Sequence, residues 1–122
     1  MSERTPWVVL FYRDDRGKEP VREWLEKLER TNPRDAGAVR RYIDLLEEFG
    51  VLLEEPYSRQ LRGRIRELRP RDWRVTYFAD TKRRFVLLTS FRKTGRRTPR
   101  GEIDRAEMLA EDWRRQTKEG RT

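Results

Sequence analysis

Apolar positions along the chain recur with two different periods. Trp7-Val-Val-Leu-Phe-Tyr12 is a β-branched and aromatic run of strand length, closed by the turn-forming Asp14-Asp15-Arg16-Gly17, and predicts a first strand. After Glu19-Pro20 the spacing becomes helical: Val21, Trp24, Leu25 and Leu28 stand at i, i+3, i+4 and i+7 behind a proline tolerated at a helix start. Thr31-Asn32-Pro33-Arg34-Asp35 then supplies a cap residue, a proline at the first helical position and an acid in the first turn. A second helix begins there, with Val39, Tyr42, Ile43, Leu46 and Phe49 as its stripe and Gly50 as its end. The short joint makes the pair a helical hairpin.

From Leu61 the period shortens to two. Strands are predicted over residues 64–69, 73–79 and 85–91, joined by Pro70-Arg-Asp72 and Asp80-Thr-Lys-Arg83, turns short enough for antiparallel neighbours. A closing helix starts at Thr98-Pro99 and carries Ile103, Ala106, Leu109, Ala110 and Trp113 on one stripe, and the tail 117–122 is expected to fray. The order predicts an α+β fold: one domain over residues 1–122, with a core spanning about 7–115. A mixed, largely antiparallel sheet of about four strands has its helices packed on one face, leaving the other face of the last three strands to solvent. In those strands Ile65, Glu67 and Arg69 alternate with Arg64, Arg66 and Leu68, and Arg74, Thr76 and Phe78 with Trp73, Val75 and Tyr77. Each set mixes apolar and polar members, so alternation alone does not choose the inward one.

Composition narrows the chemistry. Cysteine and histidine are both absent, which removes thiol nucleophiles, disulfides, zinc–thiolate sites and the usual general base and metal ligand. No metal site and no cofactor is expected, and Asp, Glu, Lys, Arg and Tyr are left for any catalysis. No apolar run approaches the roughly 20 residues of a membrane span. With Glu3 and Pro6 ahead of a short apolar run the start does not read as a signal peptide, so a cytoplasmic protein is expected. The net charge is +8, but its distribution says more: residues 59–100 hold thirteen Arg, Lys82 and Lys93 against Glu67, Asp72 and Asp80. Guanidinium groups match phosphate oxygens two at a time and stack on bases, so this segment points to nucleic acid.

The series Gly17-x-x-Pro20-Val21-x-x-Trp24-Leu25, Glu55-Pro56 before Leu61-x-Gly63, Glu67-Leu68-Arg69, Trp73-Arg74-Val75-x-Tyr77-Phe78 and Phe91-Arg92-Lys93, ending in Thr98-Pro99 with Glu102-Ile103 and Ala106, resembles the phage-derived, HigB-like branch of the RelE toxin superfamily. The resemblance rests on the order and spacing of these pieces together. It implies a RelE-like fold and ribosome-dependent cleavage of mRNA in the A site. It also implies neutralisation by a cognate antitoxin, often of helix-turn-helix type, through which alone DNA would be met.

RNA cleavage of that kind uses the ribose 2′-OH as nucleophile. The protein must take its proton, stabilise the added negative charge on phosphorus and assist the leaving 5′-oxygen. Arg74 resembles the family's phosphate-contacting arginine, and Arg69 is a second phosphate clamp or else an ion-pair partner of Glu67. Glu55 matches a Glu-Pro position that acts as base in some relatives, and Glu67 a strand position that carries a functional Lys in others; the choice of base stays open between them. Lys93 is the candidate acid. The family usually shows two consecutive Lys here, whereas Lys93 is followed by Thr94 and Gly95, and Arg92, Arg96 or Arg97 would have to serve the same phosphate. Arg59, Arg62, Arg64, Arg92, Arg96 and Arg97 are assigned to RNA contact. Trp73 and Tyr77 are either core or base-stacking residues, and Trp24 and Trp113 are core. Two other readings stand beside this one: a catalytically silent relative that only binds an antitoxin, and a free-standing nucleic-acid binder.

Overall fold

The computed structural model describes residues 7–81 and 83–118. Lys82, the N-terminal residues Glu3 and Pro6, and most of the expected fraying tail lie outside them; Thr117 and Lys118 form the last turn of a helix. In chain order the elements are β1 (Val8–Phe11), α1 (Pro20–Thr31), α2 (Pro33–Phe49), a 3-10 turn (Gly50–Leu52), β2 (Ser58–Arg62), β3 (Ile65–Leu68), β4 (Trp73–Asp80), β5 (Arg84–Arg92) and α3 (Arg100–Lys118). The strands make one sheet in the order β1-β5-β4-β3-β2, with β1 parallel to β5 and every other pair antiparallel.

The hairpin forms as its punctuation dictates. Asn32 closes α1 through its own N–H to the carbonyl of Leu28 and opens α2 by accepting the Asp35 N–H on its side chain at 3.1 Å. At the other end of α2, Gly50 adopts φ +57°, and a Cβ there would stand 2.0 Å from the indole nitrogen of Trp7. Glycine is required on both counts.

Two expectations need correction. The sheet gains a strand, β2, whose Ser-Arg-Gln-Leu-Arg sequence has no apolar alternation because it is an edge strand with only Ser58 fully buried. The helices do not share a face. Val21, Leu25, Leu28, Val39 and Leu46 of the hairpin pack on Leu68, Val75, Tyr77, Phe85 and Leu87. Ala106, Ala110 and Trp113 of α3 pack on Ile65, Phe78, Val86 and Leu88 of the opposite face. A chain with two apolar sheet faces must cover both, which is why alternation failed to name an inward set. Around Thr76 the register slips, so that Leu88 is left without a partner between Tyr77↔Leu87 and Thr76↔Thr89.

Candidate nucleic-acid interface

Register places Arg59, Glu67, Thr76 and Thr89 opposite one another across β2, β3, β4 and β5, a polar row on the face that α3 covers only in part. The hydroxyls of Thr76 and Thr89 share a hydrogen bond of 2.5 Å within it. In the next row, Arg69 follows β3 and Arg74 stands opposite Phe91. Here the loop 93–99 takes over from the helix. It leaves β5 with the Lys93 N–H donating to the Asp72 carbonyl at 2.7 Å, and its end starts α3, where the Glu102 N–H bonds to the Pro99 carbonyl. Between loop and sheet opens a hollow of about 640 Å³ lined by Arg59, Arg69, Arg74, Lys93, Gly95, Arg96 and Arg97.

Glu67 organises the floor of this hollow. It is 1% exposed, and its Oε1 accepts a hydrogen bond from the Thr98 hydroxyl at 2.7 Å. Its Oε2 lies 3.7 Å from Arg69 Nε and 3.9 Å from Arg74 Nε, distances of ion pairing rather than hydrogen bonding. Arg74, itself buried, donates from Nη1 to the carbonyls of Arg71 and Trp73 at 3.0 and 2.8 Å, which fixes the guanidinium against its own turn. Burial first, and the positive charge of Arg69 next, pull Arg74 below the usual arginine range against the counter-effect of Glu67. An arginine still keeps its proton at neutral pH.

At the rim, the exposed carboxylate of Glu55 accepts from Arg59 Nη2 at 3.2 Å and lies 3.6 Å from Arg69 Nη1. The Nε of Arg69 is buried with no hydrogen-bond partner among the described residues. Six cations therefore line the hollow against the carboxylates of Glu55 and Glu67, with Arg74 held by its hydrogen bonds to the turn and Arg69 placed between the two acids. Such an arrangement has the charge and the donor geometry to accept an oxyanion.

Eight of the predicted residues thus converge: Glu55, Arg59, Glu67, Arg69, Arg74 and Lys93, with Arg96 and Arg97 from the loop. Three do not. Arg62 is tied to Asp104 and Glu107 of α3 at 2.8 Å each, and Arg64 donates to the Ala79 carbonyl, both at the far end of the sheet. Arg92 points to the hairpin face, its guanidinium 5.1 Å above the Trp73 ring. Tyr77 is core, with its hydroxyl bonded to Ser58 at 2.6 Å. Trp73 is half-buried against Trp24 and donates its indole N–H to Asp35. Thr98 was legible only as a helix start; its bond to a residue 31 positions earlier leaves no trace in local spacing. Thr94 lies in the same loop, beside a small recess shared by Arg74, Arg96 and Arg97. Among the described residues no three acidic side chains gather as a metal ion would need, and no helix is long and apolar enough to cross a membrane.

Residues 23–111, which include every residue lining the hollow, match the family model described as Phage derived protein Gp49-like (DUF891). No curated protein matches the chain.

Proposed function

The chain belongs to the phage-derived Gp49-like family, a RelE/HigB-like toxin-type family associated with toxin–antitoxin pairs, and from that membership we propose that it is a toxin of the HigB-like branch that cuts mRNA in the ribosomal A site. The observation that carries the proposal is the pair Arg69 and Arg74, held over one buried carboxylate at the base of an arginine-lined hollow.

The chemistry follows from what each group can do. A scissile phosphate seated on Arg69 and Arg74 has the charge of its pentacoordinate transition state met by guanidinium donors already in place. The 2′-oxygen attacks phosphorus, the bond to the 5′-oxygen breaks, and a 2′,3′-cyclic phosphate and a 5′-hydroxyl result. Glu55, the exposed carboxylate at the rim, takes the 2′-OH proton; Lys93 gives one to the leaving oxygen. Glu67 is spoken for by Thr98, Arg69 and Arg74, and acts as a positioning residue. Arg59, Arg96 and Arg97 track the flanking backbone. The partners that go with this reading are ribosome-bound mRNA and a cognate antitoxin of helix-turn-helix type, with DNA reached only through the antitoxin.

Expression in a bacterium tests it: growth arrest with cleaved transcripts is expected, and Arg74→Ala abolishes both. A harmless wild type with intact transcripts overturns the enzyme. The competing reading, a silent relative that only binds its antitoxin, is favoured by one feature, Thr94 where a second lysine is usual. The same assay separates the two.

A further inference from the structure

On the hairpin face, directly behind the hollow, a second groove of about 350 Å³ runs between the end of α1 and the ends of β4 and β5, bounded by Trp24, Lys27, Leu28, Asn32, Trp73 and Arg92. Its floor is aromatic. The Trp24 and Trp73 rings meet edge to face with centroids 5.3 Å apart, and both are partly buried against the core beneath them. Trp73 is fixed by its indole N–H bond of 2.9 Å to Asp35, which is steadied in turn by Asn32 and Arg71. Arg92 lies over the Trp73 ring, Lys27 is exposed at the side, and none of the residues bounding the groove is acidic.

The Arg92 guanidinium rests on the Trp73 ring, and a guanidinium plane backed by an aromatic pair and flanked by a second cation is a surface on which an unpaired base stacks with its phosphate close by. The groove also adjoins the cleavage hollow through the chain itself. Trp73 and Arg74 are consecutive on β4, as are Arg92 and Lys93 at the end of β5, and each pair sends one side chain to each face. A strand leaving the phosphates of the hollow meets the groove on passing round that end of the sheet.

We propose that the Trp24–Trp73–Arg92 groove is a nucleobase subsite, which stacks an unpaired base of the RNA whose backbone lies in the arginine hollow. The proposal rests on the RNA reading given above and names a contact separate from the cleaving groups. It accounts for two aromatic side chains that the cleavage chemistry does not use and for Arg92, which that chemistry cannot reach.

The experiment measures binding of a short unstructured oligoribonucleotide, and of the same backbone with its central bases removed, to the full chain by fluorescence anisotropy. Wild type should bind the intact oligonucleotide roughly tenfold more tightly than the abasic one. Trp24→Leu, which keeps an apolar filler on α1, should abolish most of that preference while abasic affinity stays unchanged, and Arg92→Ala, which also removes a rim cation, should abolish most of it while weakening the binding of both oligonucleotides. If both folded variants retain the full preference, or wild type shows none, the subsite is overturned even though RNA is bound. If wild type binds neither oligonucleotide and cleaves no ribosome-bound mRNA, the RNA reading itself fails and the subsite with it. If the variants bind RNA like wild type but no longer retain a co-expressed antitoxin, the groove belongs to a protein partner and the proposal is wrong.

Discussion

The Thr98 hydroxyl donates to the Glu67 carboxylate at 2.7 Å and is the link between the loop 93–99 and the floor of the hollow. The bond lies where water competes poorly, since Glu67 is 1% exposed. Thr98→Val keeps the shape and removes the donor, leaving a buried carboxylate oxygen unsatisfied; a stability loss of about 1–3 kcal/mol is expected. Amide exchange in the loop should accelerate in the same variant. Thr98→Ser should restore both, and equal exchange in the valine and wild-type proteins would show that the loop is held by something else.

Glu67 and Glu55 are distinguishable by pH. If Glu67 positions the arginines, Glu67→Gln should lower cleavage about tenfold or more through displaced guanidinia, yet leave the shape of the pH–rate profile unchanged. Glu55→Gln removes the carboxylate proposed as proton acceptor, and the acid-side limb of the profile should go with it. Loss of that limb in the Glu67→Gln variant, with the limb intact in Glu55→Gln, would exchange the two roles.

Salt dependence separates the arginines that converge from those that do not. Each phosphate contact contributes about 0.7 to the logarithmic salt slope of single-strand binding. Arg96→Ala and Arg97→Ala should each lower the slope by about that amount. Arg62→Ala should leave it unchanged, since that guanidinium is already bonded to Asp104 and Glu107. Titrating RNA affinity against potassium chloride gives the answer directly.

Acid stability should depend on Asp80. Burial alone would raise this carboxyl, but hydrogen bonds from Trp113, the Thr81 backbone and Arg84 outweigh burial and hold it below the usual range. A depressed folded value means that the stabilisation is present above the unfolded carboxyl range, near pH 4, and disappears as pH falls through the folded one. Asp80→Asn should therefore lower Tm at neutral pH, and the gap to wild type should narrow steadily below about pH 4. A constant gap would mean that the ion pair and hydrogen bonds at Asp80 contribute no pH dependence.

Local signals in the sequence located what local physics controls. Pro20, Asn32, Pro33 and Gly50 punctuate the hairpin where the structure does, because caps and backbone restrictions act over a few residues. Strand β2 escaped notice because an edge strand half in solvent needs no apolar period. The placement of α3 on the second face was equally hidden: its stripe of Ala106, Ala110 and Trp113 says that it packs, not on which side. At the site, residue types were legible and their grouping was partly so. Alternation puts Glu67 and Arg69 on one side of a strand, but only the register brings Arg74 beside them and sends Arg92 behind.

Strand β2 carries one more consequence. Among the described residues it ends the sheet on its side, with no strand beside its outer backbone groups. It is five residues long, its ladder slips between Gln60 and Arg62, and it bears Arg59 and Arg62. A short, kinked border whose charged side chains are tied down to Glu55, Asp104 and Glu107 is a poor template for a second sheet, because a partner strand would meet an irregular ladder and have to displace those ion pairs. Arg59 thus has two settings at once, the wall of the hollow and the border of the sheet, and the same irregular edge that shapes the one discourages edge-to-edge assembly at the other.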